Sequence, residues 1–386
     1  MLKTIHVIHL MANNSSVPYF NWFAEASVND KKIKFSFIAM HHEKPKMLDD
    51  MQTRGCECYW IPFDSKNRKV AMLKSIPKLY TLLKKIKPDA IHTHLFDDAL
   101  PSLIAARLAG IKIRLITKQD TTFHWFYAPK GVKFDRLNNY NATHIIAITE
   151  ESKKFLIEKE KADKNKITLI HHGIPIEKLT NQSEVKKQEL ITKYNLHNKI
   201  VIGTVARLIE WKGYKHIINA AKIVSEKHPN AIFLFVGEGK QKEELQQIIK
   251  KNKLEKNIIF TQWIERDYIP SLYGIMDIYL HAASYEPFGF VIAEAMINGT
   301  PVVSSRTGSA ADAIDHLING YLSLDNSGEE LAKGIFFMLE NNRKKIGEAG
   351  KIKAMSLYAF EHMYNKHLEL YQSAYNTLSH YHTNTI

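Results

Sequence analysis

Short apolar runs alternate along the chain with longer segments in which apolar residues recur every three or four positions. The runs have the length and composition of buried strands, and the longer segments have helical periodicity. Because helical segments lie between the strands, the pattern predicts a parallel sheet with right-handed crossovers. In the first half the predicted strands are Ile5–Leu10, Phe35–Met40, Ala90–His94, Ile113–Thr117, Ile145–Thr149 and Thr168–His172, and the predicted helices include Val17–Ser27, Ala99–Ala109 and Glu150–Glu160.

The alternation restarts after the polar stretch Ser183–Gln188, so the fold class is α/β with two doubly wound sheets. The boundary lies near Gly173–Leu179, and ligands of such sheets bind at the carboxyl ends of the strands. We predict a first domain over residues 1–175, a second over 176–358 and a C-terminal helical segment over 359–386. The predicted strands of the second domain are Val201–Val205, Ile232–Val236, Ile258–Thr261, Ile278–Ala282 and Pro301–Ser304.

Composition agrees with two domains, because 386 residues with 45% hydrophobic side chains suffice for two cores. No apolar run approaches the roughly 20 residues that span a bilayer, and Ile5–Leu10 is too short for a signal peptide. Cys56 and Cys58 are the only cysteines, and their spacing predicts one face of a strand rather than a disulfide framework. We therefore expect a cytoplasmic protein.

The net charge of +13 is concentrated in part between Ser65 and Lys87, where eight basic residues and no acid alternate with aliphatic ones. This basic amphipathic stretch is consistent with a surface helix that packs on its own domain, or with a helix on the anionic inner face of a membrane. A basic protein could also bind nucleic acid. That alternative is less favoured, because no nucleic-acid-binding motif or stacking aromatic series accompanies the charge.

The segment Glu286–Glu294 places two carboxylates eight residues apart across a Pro and Gly turn that opens an apolar helix. The first N–H groups of a helix and its dipole suit phosphates or hydroxyls. Glu294 is expected about two helical turns from Glu286 and close to the same face. We predict that the two acids bind sugar hydroxyls.

This segment resembles the paired-glutamate motif of the retaining family-4 glycosyltransferases. The resemblance covers nearly the whole chain, most strongly over residues 200–325 and least before residue 145. It implies a GT-B type fold, in which two Rossmann-like domains face each other across a cleft. The N-terminal domain would bind the acceptor, the second domain the nucleotide-sugar donor, and the last helix would return to the first domain. The residues that carry the resemblance are Ser284-Tyr285-Glu286-Pro287-Phe288-Gly289, Glu294-Ala295-Met296, Gly203-Thr204-Val205-Ala206-Arg207, Lys212-Gly213 and Gly299-Thr300-Pro301-Val302-Val303.

The resemblance also implies the roles of the donor-site residues. Arg207 and Lys212 would bind the diphosphate and stabilise it as a leaving group without a metal ion, although either residue alone could be a solvated surface charge. Glu286 would bind hydroxyls of the transferred sugar, and Glu294 would bind the ribose. A core role for Trp263 fits the sequence equally well. The remaining donor contacts would be Gly237 in the turn Gly237-Glu238-Gly239, Trp263 and Ile264 near the base, and the backbone N–H groups of Phe288, Gly289 and Phe290.

The first half departs from the family pattern at two places. Where the family often has two glycines after the first strand, this chain has Met11-Ala12-Asn13-Asn14-Ser15-Ser16. After the strand Ile113–Thr117, Gln119 stands at or near the position of a family histidine that lies by the reacting sugar. Glutamine forms hydrogen bonds but cannot relay a proton.

Three candidates remain for the proton acceptor: His124, Asp120, or the departing phosphate itself. In a retaining front-face reaction the phosphate oxygen can accept the proton of the acceptor, and such a path needs positioning and charge stabilisation more than a base. We favour this substrate-assisted path, with Gln119 shaping the site. His124 lies between Phe123 and Trp125, so an aromatic loop contact is an equal alternative for its ring.

No metal or cofactor is predicted, because the paired and alternating histidines lack the carboxylate or cysteine spacing of metal sites. The predicted function is transfer of a hexosyl residue from a nucleotide diphosphate sugar, with UDP-sugar preferred over GDP-sugar. The acceptor would be a glycan or a lipid-linked molecule in cell-surface polysaccharide biosynthesis. The absent histidine leaves open a non-catalytic, glycosyltransferase-like binding protein.

Overall fold

The computed structural model describes residues 4–12, 18–28 and 30–383, so the predicted loop residues Asn13–Ser16 lie outside the described part. The chain divides into two compact units, Met1–His171 with Met363–Ile386, and His172–His362. The sequence analysis placed the corresponding boundaries after residues 175 and 358.

The first unit contains a seven-stranded sheet in which all neighbouring strands are parallel, in the order β3-β2-β1-β4-β5-β6-β7. Its core is formed by aliphatic side chains of the central strands and of the helices that cover them. The strands are β1 (Ile5–Ala12), β2 (Ile33–His41), β3 (Glu57–Pro62), β4 (Ala90–Thr93), β5 (Ile113–Lys118), β6 (His144–Ala147) and β7 (Ile167–Leu169). The helices are α1 (Pro18–Ser27), α2 (Lys46–Thr53), α3 (Arg68–Ile86), α4 (Phe96–Leu108), α5 (Phe123–Tyr127), α6 (Val132–Asn141) and α7 (Glu150–Glu158).

The second unit contains a six-stranded parallel sheet in the order β10-β9-β8-β11-β12-β13. In each sheet the chain first adds strands on one side of its first strand (β1 or β8) and then on the other side. Loops diverge at such a switch point, and ligands of these sheets bind there. The strands are β8 (Ile200–Val205), β9 (Ala231–Val236), β10 (Ile258–Gln262), β11 (Ile278–His281), β12 (Val302–Ser305) and β13 (Tyr321–Ser323). The helices are α8 (Ile176–Thr180), α9 (Glu184–Lys193), α10 (Tyr214–Lys227), α11 (Lys242–Lys251), α12 (Ile269–Gly274), α13 (Phe290–Ile297), α14 (Gly308–Ala313), α15 (Gly328–Glu340) and α16 (Arg343–Tyr358).

The last helix, α17 (Phe360–Thr383), belongs to the first unit from Met363 onward. There the Tyr371 hydroxyl hydrogen-bonds Nδ1 of His92 at 2.6 Å. This side-chain contact joins two segments of the first unit that are 279 residues apart in the chain.

One prediction about the cysteines is wrong. Cys58 lies in β3, but Cys56 precedes the strand, because its N–H donates to the Met51 carbonyl at the end of α2. Gly55, with a φ of 87°, turns the chain between the two elements. Both cysteines are free thiols.

The basic stretch forms α3, and its packing on its own unit is confirmed. Ala71, Met72, Leu79 and Leu83 join the core of the first unit. The opposite face exposes lysines together with the apolar side chains Val70, Leu73 and Tyr80. Among the described helices, none is long and apolar enough to cross a membrane.

Candidate functional site

Two loops of the second unit meet at the carboxyl ends of the adjacent strands β8 and β11. A Cβ atom on Gly213, which has a φ of 74°, would lie 2.0 Å from the Ala282 carbonyl oxygen. The Ser284 N–H donates to the Trp211 carbonyl at 2.9 Å. This close backbone approach brings the side chains of the two loops together.

Lys212 and Glu286 form an ion pair at this meeting point, with the Lys212 ammonium hydrogen-bonded to Oε2 of Glu286. Nε2 of His281 lies 3.3 Å from the same oxygen, and the His281 ring is buried. Burial alone would raise the pKa of Glu286, but His281 and Lys212 lower it to about 2. Glu286 is therefore ionised at neutral pH, and its Oε1 has no hydrogen-bond partner among the described residues.

His281 was not foreseen from the sequence. It is the last residue of a buried strand and lies five positions before Glu286, and a histidine that ends an apolar run is the signal that could have indicated it. The Tyr279 hydroxyl contacts its Nδ1 at 3.3 Å, which leaves Nε2 toward the glutamate.

The helix after the Pro-Gly turn begins at Phe290, so Glu286 lies in the turn and the placement of both acids along one helix was wrong. The reason is Gly289, which precedes the helix with a φ of 82°. Ser309 fixes the turn, because its N–H donates to the Phe288 carbonyl at 2.6 Å and its hydroxyl to the Gly289 carbonyl at 3.2 Å. The Ile292 N–H donates back to the Gly289 carbonyl at 2.9 Å, whereas the N–H groups of Phe290 and Val291 have no acceptor within the helix and can bind a ligand.

Phe288 and Phe290 flank this turn, and both rings contact the ring of His172. Phe288 is buried, whereas Phe290 is 37% exposed. Their backbone contacts to a donor remain a prediction.

Glu294 lies one turn into α13 and keeps partial contact with solvent. Its Oε2 accepts a hydrogen bond from the Tyr273 hydroxyl at 3.1 Å. Burial raises the pKa of Glu294 to about 7, although Tyr273 and the charge of Arg266 act in the opposite direction. Burial raises the pKa of the Tyr279 hydroxyl most, and the charges of Glu286 and Glu294 raise it further. Both carboxylates are therefore close enough to Tyr279 to affect the same hydroxyl.

Arg207 lies on the loop after β8 and is exposed. Its guanidinium makes no hydrogen bond or ion pair with any residue in the described part of the chain. The glycine turn after β9 supports this loop, since a Cβ on Gly237 would lie 2.3 Å from the Ala206 carbonyl and the Leu208 N–H donates to the Glu238 carbonyl at 2.9 Å. The structure thus brings Lys212 and Glu286 together and leaves Arg207 open to solvent.

Trp263 follows β10 and is 77% exposed, so a core role for this side chain is wrong. The ladder between β10 and β9 is irregular at Gln262, whose φ is 61°, and this residue redirects the chain before Trp263. Ile264 is buried. Contact of either residue with a base remains a prediction.

In the first unit, Gln119 and His124 line the same cavity of about 200 Å³, near the carboxyl end of β5. Nδ1 of His124 lies 2.6 Å from Oδ2 of Asp135. The His124 ring also contacts Phe96 edge-on, so it makes both an aromatic contact and a contact with a carboxylate. Asp135 was not foreseen, because it lies eleven residues further along the chain in α6.

Three buried histidines also come together in the first unit, and the sequence analysis did not connect His9 with His92 and His94. Nδ1 of His9 lies 2.9 Å from Nε2 of His94, while His92 binds two hydroxyl groups. Burial lowers the pKa of His9 to about 3 and that of His92 well below its ordinary value. His9 and His92 are therefore neutral, hydrogen-bonded imidazoles, and metal independence remains a prediction.

Comparison with known proteins identifies the family. The model of glycosyl transferases group 1 matches residues 186–353, and that of Glycosyltransferase Family 4 matches residues 30–178. An uncharacterized glycosyltransferase of Methanocaldococcus jannaschii is 31% identical over 293 residues, which are 71% of this chain and 72% of that protein. The chain belongs to the group 1, family-4 glycosyltransferases.

Two further relatives and one solved structure resemble this glycosyltransferase. The UDP-Gal:α-D-GlcNAc-diphosphoundecaprenol α-1,3-galactosyltransferase of Escherichia coli is 28% identical, covering 71% of this chain and 73% of its own length. The capsular polysaccharide biosynthesis glycosyltransferase CapM of Staphylococcus aureus is 24% identical, covering 97% and 98%. Anabaena HepE, solved in complex with UDP, has a TM-score of 0.80 at 20% identity, covering 96% and 100%. The fold is of the GT-B type, and the enzyme has homologues in cell-surface polysaccharide biosynthesis.

Proposed function

We propose that this glycosyltransferase moves a hexosyl residue from a UDP-sugar, with retention of configuration, onto a glycan or lipid-linked acceptor in cell-surface polysaccharide biosynthesis. The names of the E. coli and S. aureus relatives support the acceptor class, and the E. coli relative and HepE support UDP. The enzymatic class follows from the family, and we set aside the non-catalytic and nucleic-acid alternatives on that ground.

The observation that carries the proposal is the Lys212–Glu286 pair at the end of β8 and β11, beside the start of α13. A diphosphate that enters this site would meet the Lys212 ammonium, the Arg207 guanidinium and the first N–H groups of the helix. These fixed positive groups can stabilise the departing diphosphate without a metal ion. Glu286, which is ionised and has Oε1 available, suits the hydroxyls of the transferred sugar.

The bond changes of the proposed reaction balance without a side-chain base. The oxygen of the acceptor hydroxyl bonds to the anomeric carbon on the face from which the phosphate oxygen departs. The bond between that carbon and the phosphate oxygen breaks, and the acceptor proton passes to the phosphate. Gln119 would shape the site, and Glu294 would accept hydrogen bonds from the ribose.

The test is calorimetric titration of UDP, GDP and ADP with a chelator present, using wild type, Lys212→Met and Glu286→Gln. We expect UDP to bind in preference to GDP and ADP, and Lys212→Met to weaken UDP at least about tenfold, since it removes a charge-assisted hydrogen bond. Lys215→Met, which removes a lysine that pairs with Glu244 on the surface, is the matched control. Absence of nucleotide binding would overturn the proposal, and proton NMR of the anomeric product would test retention.

We further propose that α3 contacts an anionic membrane surface. The outward face of the helix combines lysines with the exposed side chains Val70, Leu73 and Tyr80, which is the composition of a helix that lies at a bilayer interface. A lipid-linked acceptor would then be reached by an enzyme at the same surface. The cytoplasmic location inferred from the cysteines is likewise a proposal.

A further inference from the structure

The cavity at the carboxyl end of β5 has the chemistry of a sugar subsite. It is lined by side chains that donate and accept hydrogen bonds, including Gln119, His124 and Asn138, and by the rings of Phe96 and Phe123. Phe123 is 45% exposed. A pyranose suits such a cavity, because the polar groups can bind its hydroxyls and an aromatic ring can stack on its apolar face.

His124 is held in one orientation. Its Nδ1 lies 2.6 Å from Oδ2 of Asp135, and Asp135 is 6% exposed. Phe96 contacts the ring edge-on with a centroid distance of 4.5 Å. The backbone of Gly131 also lies against the ring, since a Cβ on that glycine would be 2.5 Å from Cγ of His124. A carboxylate accepts but does not donate, so in the neutral ring the proton lies on Nδ1 and Nε2 is the acceptor.

A buried ion network in turn holds Asp135. The Lys118 ammonium lies 3.4 Å from Oδ1 of Asp135 and 3.0 Å from Oε2 of Glu160, and the side chains of Lys118 and Glu160 are 4% and 0% exposed. Asn139 donates to the same Glu160 oxygen at 2.6 Å. Burial alone would lower the pKa of Lys118, but Glu160 and Asp135 outweigh it and raise that pKa. The Lys118 ammonium therefore lies between the carboxyl groups of Asp135 and Glu160. Asp135 faces Lys118 with Oδ1 and His124 with Oδ2.

Two hydrogen-bonding atoms at this cavity have no partner among the described residues. Nε2 of His124 makes no hydrogen bond there, and Oδ1 of the buried Asn138 is also without a donor. Buried polar atoms are normally paired, so an unpaired oxygen beside a cavity indicates that a hydroxyl or water completes it.

We propose that this cavity binds the pyranose ring of the acceptor, and that Asp135 is a positioning residue that directs Nε2 of His124 to an acceptor hydroxyl. This inference rests on the proposed function and adds the acceptor subsite to it. His124 accepts the hydrogen bond of an acceptor hydroxyl that does not react, so it orients the ring and takes no part in the proton transfer. His124 lines the cavity from α5, and Gln119 lines it from the residue that follows β5.

The tautomer of His124 tests the positioning role directly. In ¹⁵N-histidine NMR of the whole protein, with the His124 signal assigned by its loss in His124→Gln, we expect the form protonated at Nδ1 in wild type. Asp135→Asn is expected to populate the form protonated at Nε2, because an amide can donate to Nδ1. Asp50→Asn, an exposed substitution, is the control. An unchanged tautomer in folded Asp135→Asn would overturn the positioning role.

Binding of simple methyl pyranosides tests the subsite without the donor. Methyl glucosides, galactosides and N-acetylglucosaminides are titrated in saturation-transfer NMR in the absence of UDP, together with a thermal unfolding scan of each variant. We expect at least one glycoside to bind wild type and the exposed-histidine control His42→Ala, and to bind His124→Ala about five- to tenfold more weakly, the effect of one lost hydrogen bond.

The outcomes separate the two proposals. No pyranoside binding to wild type, or equal binding to folded His124→Ala, would overturn the acceptor subsite. UDP binding is expected to be the same in wild type and His124→Ala, because the donor residues lie in the second unit. Failure of UDP to bind either protein, with His124-dependent pyranoside binding retained, would overturn the donor proposal and support the sugar subsite.

Discussion

Replacement of Glu294 by Gln removes the charge of a largely enclosed carboxyl and keeps its shape. Burial raises the pKa of Glu294 from 4.5 to about 7 in the folded protein. The native state therefore holds this proton more tightly than the unfolded state, and the free energy of unfolding falls as pH rises between these two values. At about 1.4 kcal/mol per pKa unit, the loss is at most about 3 kcal/mol, since the side chain keeps partial contact with solvent.

The assay is urea denaturation of wild type and Glu294→Gln at about pH 5 and about pH 8, a range chosen to bracket the titration. Other titrating groups are shared by both proteins and cancel in the difference. We expect the variant to gain up to about 3 kcal/mol relative to wild type between the two pH values. Glu243→Gln, which changes an exposed glutamate of α11, is expected to show no such gain.

The same titration has a consequence for donor binding. Ribose hydroxyls donate to an ionised carboxylate more strongly than to a neutral one, so UDP is expected to bind wild type more tightly as pH rises through about 7. Glu294→Gln should bind UDP more weakly and lose the part of the pH dependence that Glu294 contributes, whereas titration of the UDP phosphate is common to both proteins and cancels in the comparison. An equal stability difference at both pH values, with a parallel UDP profile, would refute the assignment of a raised pKa to Glu294.

Three further predictions follow from single contacts. Gly213→Ala is expected to lower the free energy of unfolding by about 1–3 kcal/mol in urea denaturation, because a Cβ at positive φ would meet the Ala282 carbonyl. The pKa of Glu286 is lowered to about 2, so its ionised form stabilises the fold above about pH 4.5, and this stabilisation is lost as pH falls. His281→Ala should make the free energy of unfolding, measured by urea denaturation at decreasing pH, fall less steeply with acid. Leu73→Glu should abolish co-sedimentation with anionic liposomes if α3 binds them; equal sedimentation of wild type with neutral liposomes would contradict an electrostatic contact.

Much of the fold could be predicted because the buried parallel strands are continuous aliphatic runs, as in β9 (Ala231–Val236). No bounds were predicted for two strands, although the spacing of Cys56 and Cys58 indicated strand structure at β3. β3 lies at the sheet edge and mixes exposed and buried residues, and β13 has only three residues, so neither gives an apolar run. Predicted bounds differ by a few residues, as for Ile145–Thr149 against β6 (His144–Ala147).

The site was only partly predictable, because its motifs are local and its contacts are not. Lys212 and Glu286 were found as motif residues, but their direct pairing joins positions 74 residues apart. His281 and Asp135 belong to no short motif and acquire meaning only from what they contact in the fold. The turn at Gly289 likewise depends on Ser309, twenty residues downstream, which the sequence pattern does not connect to it.

The two sheets share the order of their first six strands, but they differ in which groups lie on the central strands and on the loops that follow them. In the second unit, Lys212 pairs with Glu286 on the loops after the strands, and Arg207 is exposed nearby in the sequence. An anionic donor could take the place of Glu286 as the partner of Lys212. In the first unit, β1 and β4 carry the buried histidines His9 and His92, whose lowered pKa values keep them neutral. A positive field favours binding of a diphosphate, whereas the hydroxyls of a sugar are bound mainly through hydrogen bonds. A charge added to the buried histidine layer should therefore destabilise the fold: His92→Lys is expected to lower the free energy of unfolding by about 3–5 kcal/mol in urea denaturation, because it leaves an uncompensated buried charge.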